Sequence, residues 1–407
     1  MIKIYALLCY NQMIDMYEMH DFPEQEYERR WKETRKAMAS AQLDALFITS
    51  GPNYMYFTGH TVTYWVPHWL WTTTSAFPFA FVLPAEKDPV ICTIPREAKN
   101  ARQTTFVTQI RTYSGIPFSA EHYVKMLADS GLSRGRIGCE LGAEQRMSMP
   151  YKEFTRLQKG LPEVDFVDGT DVIRMVRLIK SREEIERIRK ANEITVQALN
   201  MLYEKIKVGT TEREAARIVE RAMIEYGADR CQFYFTECAS TGNTPIVHPR
   251  PLERAFEVGE CVYVDLGAAY KNYIADVNRT IAFGRATAQM NDTYAVVLEC
   301  EKAMFKAAKP GARTRDVCLA FERVMKEAGY GDIDLYPFRV GHGVGMGIEP
   351  PSLSKDDETV LKNGMVIGIE PRISKPFGYI TVEDEVVVTS TGNKVLTPGP
   401  RELVEIA

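Results

Sequence analysis

An internal repeat constrains this chain more than any other feature. Residues 208–227 (VGTTEREAARIVERAMIEYG) lie without gaps over residues 310–329 (PGARTRDVCLAFERVMKEAG), matching both glycines, a Glu-Arg pair and a methionine. Two amphipathic helices can look alike by chance, so the weight falls on the segment downstream of each copy. CVYVDLGAAYKNYIADVNRTIAF lies after the first and GMVIGIEPRISKPFGYITVEDEVVV after the second. Both read as an apolar strand, an acid, a turn, Tyr-Ile, a second acid and another apolar strand, with Asp265 and Asp276 in one copy and Glu370 and Glu383 in the other. The pattern predicts two similar halves, each a helix pair and then a strand hairpin, facing each other with pseudo-twofold symmetry.

The repeat occupies only the second part of the 407-residue chain, which is longer than a single core usually grows. Ser181 and Glu184 predict a capping box that opens a long helix with an apolar face of Ile185, Ile188, Thr195, Leu199 and Leu202. Upstream the character differs. Tyr27, Trp31, Met38 and Ala41 recur at helical spacing, and LDALFITS, FPFAFVLP, DPVICTIP, RIGCELG and VDFVDG read as strands, with SGPNYMYFTG and KDP as turns and EHYVKMLADSG as a helix. RMVRLIKS marks the junction, giving a mixed α/β domain over residues 1–175 and the repeated domain over residues 176–407, an α+β chain of two domains.

A formal net charge of -4 offers no general attraction to nucleic acid or to an anionic membrane. No stretch approaches the roughly 20 apolar residues of a membrane span. IYALLCY near the N-terminus is short for a signal peptide, and no small-residue cleavage site comes after it. The eight cysteines are scattered singly, without a C-x-x-C pair. These features predict a protein of the reducing cytoplasm.

An acid inside an apolar strand is costly to bury as a bare charge. Asp265 lies in VYVDLG and Glu370 in VIGIEP, with Asp276 and Glu383 across their respective turns. Four such acids brought to one centre would repel one another unless cations sat between them, so the pattern predicts a carboxylate-rich dinuclear metal site. His342, in VGHGVGMGIEPPS, is the candidate fifth ligand, offering one neutral nitrogen. Glycines at 341, 343, 345 and 347 would let backbone and metal approach closely. These donors suit Mn²⁺, Co²⁺, Fe²⁺ or Zn²⁺. Two such ions, about 3.5–4 Å apart, would activate water and polarise a carbonyl.

In order and spacing, YVDLGAAYKNYIADVNRT, GHGVG, GMVIGIEP and GYITVEDEVVV resemble the successive metal-site motifs of the creatinase/prolidase/aminopeptidase P/methionine aminopeptidase family of pita-bread metallohydrolases. The resemblance covers about residues 175–400, and NYMYFTG is similar to part of the N-terminal domain of two-domain members. It implies a ribonuclease H-like N-terminal domain, a pita-bread catalytic domain and a homodimer. By this resemblance Asp265 would chelate one ion, Asp276 and Glu383 would bridge both, and His342 with Glu370 would complete the other. Glu370 would also relay a proton from water to the leaving group. His248, in NTPIVHPRP, matches the family's substrate-side histidine. The implied reaction is hydrolysis of a C-N bond in a prolyl dipeptide-like compound or a small amide.

YWVPHWLW, residues 64–71, holds three of the four tryptophans, and Pro67 breaks any regular period in it. Trp65, His68 and Trp69 are therefore candidate substrate contacts on a loop, suited to a proline ring or, by cation-π attraction, to a cationic group. Peptide-cleaving relatives carry a second histidine after the first glycine-flanked one. Here Glu349 holds that place in an ungapped reading, and Ile348-Glu349 abuts it if one residue is deleted, so Glu349 is a candidate substrate contact. Lyase relatives carry an extra aspartate where this chain has Gly267. The alternative expectation is a non-peptidase relative acting on a small cationic compound: a creatinase-like or ectoine-hydrolase-like amide hydrolase, or a lyase. The intact ligand set disfavours a catalytically silent binding module.

Overall fold

The computed structural model describes residues 20–61, 78–115, 118–143, 145–233, 237–240, 250–330 and 339–407. The chain divides into two compact units, Met1–Arg177 and Leu178–Ala407.

In the first unit the elements run α1 (Glu24–Ser40), β1 (Ala45–Ile48), α2 (Gly51–Thr58), β2 (Ala80–Pro84), β3 (Val90–Thr93), α3 (Pro95–Thr104), β4 (Gln109–Thr112), α4 (Glu121–Asp129), β5 (Arg134–Cys139), α5 (Tyr151–Gly160), β6 (Glu163–Asp168) and α6 (Thr170–Leu178). The strands form one mixed sheet in the order β4-β3-β2-β1-β5-β6, antiparallel at β1–β2 and β2–β3 and parallel elsewhere. All five strands read from the sequence are present, and Phe47, Val82, Leu127 and Ile137 pack in the core beside the sheet.

Two expectations change. Ala41 lies beyond the end of α1 and is exposed, while Glu26, Arg30 and Thr34 are buried on that helix. Burial of Arg30 is compensated: it donates to Glu26 Oε1 (2.8 Å) and to the Tyr56 carbonyl (2.6 Å), and its guanidinium lies over the rings of Phe22 and Tyr56. SGPNYMYFTG, expected as a turn, contains α2. Buried Glu140 explains this, because its carboxylate accepts from Thr49 N (2.8 Å), Ser50 N (2.9 Å) and Asn53 Nδ2 (2.6 Å), filling the electropositive helix start.

In the second unit, α7 (Arg182–Lys205) and α8 (Glu212–Glu225) precede β7 (Arg230–Cys231), β8 (Glu237–Ser240), β9 (Cys261–Leu266), β10 (Ala268–Tyr270), β11 (Tyr273–Ile274) and β12 (Val277–Phe283). Then come α9 (Ala288–Ala307), α10 (Thr314–Glu327), β13 (Gly341–Val344), β14 (Ile348–Ser352), β15 (Val366–Ile369), β16 (Arg372–Lys375), β17 (Gly378–Thr381), β18 (Asp384–Val388), β19 (Asn393–Val395) and β20 (Val404–Ile406). The Ser181–Glu184 capping box closes as expected, and Thr211 with Glu214 forms another at the start of α8.

The two copies of the repeat fall on α8 and α10. In the first half α7 packs on α8 and β9 pairs antiparallel with β12; in the second α9 packs on α10 and β15 pairs antiparallel with β18. Each half has its own core, with Leu199, Val219 and Val264 in one and Val297, Phe321 and Ile367 in the other. Each such buried side chain contributes about 1.5–3 kcal/mol. The halves join at their strand ends: Glu383 N donates to Asn278 O (3.0 Å), Thr280 Oγ1 donates to Thr381 O (3.0 Å), and Arg279 pairs with Asp384 (2.7 Å). Among the described residues no helix is long and apolar enough to cross a membrane.

Candidate metal centre

The seam between the halves gathers the acids. Asp265 sits in β9 opposite Asn278 of β12, and Asp276 immediately precedes β12. Glu370 comes directly after β15, and Glu383 lies between β17 and β18. In β13, His342 stands opposite Gly368 of β15. A side chain at 368 would begin 3.0 Å from Glu383 Oε1 and 3.4 Å from His342 Cε1, so glycine there leaves the imidazole and carboxylate their space.

Asp276, His342 and Glu383 are buried, and one donor atom from each lies within 4.8 Å of the others. His342 Nε2 is 3.5 Å from Asp276 Oδ2, 3.5 Å from Glu383 Oε1 and 3.9 Å from Glu370 Oε1. Its Nδ1 lies 3.2 Å from the Gly343 carbonyl, which can only accept, so the neutral ring carries its proton on Nδ1. In that neutral form the lone pair on Nε2 faces the carboxylates of Asp276 and Glu383, a repulsion that a metal cation between them, or a proton on Nε2 itself, would relieve.

The titration behaviour carries the same message. Burial, then the charges of Glu383, Asp265, Glu370 and Glu385, holds Asp276 well above the ordinary carboxyl range. Burial and Glu370 push Glu383 up to about 7, although His342 opposes the shift. For His342, burial disfavours the imidazolium, but the hydrogen bond to Glu383 and the charges of Glu370 and Glu383 outweigh it and raise the pKa. Asp276 Oδ1 is buried without a hydrogen-bond partner. Hard oxygen donors, one imidazole and excess negative charge fit divalent cations.

Asp265 and Glu370 flank this three-residue cluster. The Tyr263 hydroxyl donates to Asp265 Oδ2 (2.5 Å), and Arg372 Nη2 donates to Glu370 Oε2 (3.1 Å). Behind Asp276, Glu385 Oε1 accepts its backbone N–H (2.6 Å) and Oε2 accepts from Asn192 (2.7 Å). Burial raises Glu385 to about 8. Sequence reasoning did not single out Tyr263, Arg372 or Glu385, although strand alternation places Tyr263 with Asp265 and Glu385 with Glu383 at two-residue spacing.

Glu349 is turned away from the imidazole. It pairs with Gly343 in the β13–β14 register, one position off His342, and its carboxylate lies against Gly345. Its Oε2 is 3.5 Å from the buried Lys180 ammonium, and its Oε1 accepts from Met346 N (3.0 Å). Ile348, paired with Val344, takes the face that His342 shares, and is 44% exposed. At Gly267 a Cβ would come within 2.0 Å of the Ala275 carbonyl, so the backbone leaves no room for an aspartate. His248, Trp65, His68 and Trp69 lie outside the described residues.

A cluster of buried carboxylates around one imidazole, assembled from two pseudo-symmetric halves, defines a metal-dependent hydrolase of the pita-bread type. The chain belongs to metallopeptidase family M24, whose model matches residues 186–390; a creatinase/prolidase N-terminal domain model matches residues 30–179. The Xaa-Pro dipeptidase of Pyrococcus furiosus is 40% identical over 266 residues, covering 65% of this chain and 75% of that protein. An uncharacterised peptidase of Staphylococcus epidermidis is 30% identical over 90% of this chain and 98% of its own length. Among solved structures, the prolidase from Pyrococcus horikoshii OT3 superposes with a TM-score of 0.78 at 31% identity, covering 92% of this chain and all of that one. Dipeptidase PepE from Mycobacterium ulcerans gives 0.81 at 26% identity, covering 95% and 99%.

Proposed function

We propose that the protein hydrolyses Xaa-Pro bonds in dipeptides, using two divalent ions held by Asp265, Asp276, His342, Glu370 and Glu383. The observation that carries this reading is the buried meeting of Asp276, His342 and Glu383, with Glu370 beside them. The named Xaa-Pro dipeptidase relatives support the substrate class. Asp276 and Glu383 would be shared by both ions, Asp265 would hold one of them, and His342 with Glu370 would hold the other. When bound, such ions supply an activated water and an electrophile for the substrate carbonyl. Glu370 accepts the proton of the attacking water and delivers it to the leaving amine nitrogen. His248 is assigned to hydrogen-bond the scissile group, and Trp65, His68 and Trp69 to the substrate's apolar wall. The ions are read as Mn²⁺, Co²⁺, Fe²⁺ or Zn²⁺. The protein is read as a cytoplasmic homodimer with its N-terminal domain over residues 1–175 and its catalytic domain over 176–407.

One observation favours a second reading. Ile348 and Glu349 supply no imidazole where peptide-cleaving relatives have one, and Glu349 engages Lys180. A small non-peptide amide would make less use of that missing hydrogen bond. Metal analysis and a substrate panel separate the two: near two ions per chain, with chelator-sensitive cleavage of Xaa-Pro dipeptides, is expected. Turnover of only creatine-like or ectoine-like compounds would move the assignment to the second reading. Metal-free protein that keeps its activity under chelation would defeat both the metal assignment and the first reading.

A further inference from the structure

Glu370 stands beside an arginine that no catalytic assignment uses. Arg372 opens β16, a strand paired residue for residue with β17 so that Arg372 faces Thr381. Its side chain is only 6% exposed, and its guanidinium lies 5.4 Å from the ring centre of Tyr263 and 5.6 Å from that of Tyr379. One edge of the fork donates to Glu370 Oε2. Tyr263 in turn donates to Asp265 Oδ2. The two acids outside the tight three-residue cluster are thus tied to one buried Tyr-Arg unit.

We propose that Arg372 is a positioning residue for the metal centre: by engaging Glu370 Oε2 from a buried seat against the adjacent rings of Tyr263 and Tyr379, it turns Oε1 toward His342. Oε1 is the oxygen that lies 3.9 Å from His342 Nε2. A carboxylate free to rotate would present either oxygen and lose orientation each time it released an ion. Arg339 is the competing cation, with Nε 4.0 Å from Oε1, but it is longer-ranged and its side chain is 35% exposed. It pulls on the oxygen that must face the ion, whereas Arg372 holds the other. Removing Arg372 therefore leaves Glu370 to the wrong partner. Loss of such an outer hydrogen bond typically weakens metal binding about 10–100-fold.

The inference rests on Glu370 being a ligand, so Glu370→Gln is the control. The experiment titrates Mn²⁺ calorimetrically into chelator-stripped wild type, Glu370→Gln, Arg372→Met and Arg372→Lys, and records the visible spectrum of each Co²⁺-loaded protein. Arg372→Met should bind one ion about 10–100-fold more weakly and shift the Co²⁺ bands, a change that mere loss of packing would not cause. Arg372→Lys, which keeps the cation but not the planar fork, should lose affinity to a smaller degree. If Glu370→Gln binds both ions as wild type does, the ligand assignment fails. If Glu370→Gln loses an ion while Arg372→Met matches wild type in affinity and spectrum, the ligand assignment stands and the positioning role is overturned. Should Arg372→Met fail to fold, unchanged affinity in Arg372→Lys overturns it equally.

Discussion

Replacing Glu383 by glutamine should make the metal-free protein more stable while destroying its ability to hold metal. Glu383 is 1% exposed, and its carboxyl sits at about 7 against an ordinary value of 4.5. A carboxyl raised in the fold favours the folded state below pH 4.5, where it is neutral in both states, and loses that advantage as the pH climbs through 7. At about 1.4 kcal/mol per pH unit, the gap between 4.5 and about 7 amounts to about 3 kcal/mol of ionisation cost by pH 8. Glutamine has nearly the same shape and cannot ionise. Scanning calorimetry in chelator should therefore find the variant and wild type alike near pH 4.5. At pH 8 the variant should be about 3 kcal/mol more stable, or about 6–12 °C in Tm for a unit of this size. Because the comparison is between two proteins at one pH, titration of groups remote from Glu383, such as buried His60 (lowered to about 4), cancels, whereas Asp276, His342 and Glu385 feel its charge and titrate differently in the variant. Added Mn²⁺ should reverse the order, since only wild type gains from binding. A variant less stable than wild type at pH 8 without metal would refute the argument that these carboxylates are held together at a cost.

Lys180→Met leaves the Glu349 carboxylate without its buried ammonium, and should cost about 3–5 kcal/mol in urea unfolding. Gly267→Ala drives a methyl group into the Ala275 carbonyl, and the resulting backbone shift should cost about 1–3 kcal/mol, with metal affinity falling as Asp265 moves. Calorimetric Mn²⁺ titration of that variant checks the second effect; unchanged affinity would mean that the short stretch of chain between Asp265 and Gly267 absorbs the strain.

The repeat made the second unit legible because the same physics was written twice: a helix pair, then acids at corresponding places in apolar strands. Asp265 and Glu370 could be singled out as charges in apolar strands, Asp276 and Glu383 as their counterparts across the turn in each copy, and His342 as a histidine among glycines. The direction of Glu349 was not legible. Side-chain facing alternates along a strand, so a one-residue shift in the β13–β14 hairpin reverses it, and the register shift between His342 and Gly343 is a tertiary outcome. α2 was hidden for a related reason. Its start is stabilised by Glu140, about 90 residues away in the chain, which no local pattern around SGPNYMYFTG discloses. Arg372 and Glu385 look like ordinary strand charges until the hairpins fold against Asp276 and Glu370.

The seam between the halves also works as a coincidence requirement. Asp276 comes from one half, and His342 and Glu383 from the other, held in register by the Asn278–Glu383 bridge. Neither half alone contains the three-residue cluster, so a chain with one half folded has nowhere to assemble it. The three donor atoms therefore meet only where the two halves are docked along the Asn278–Glu383 seam.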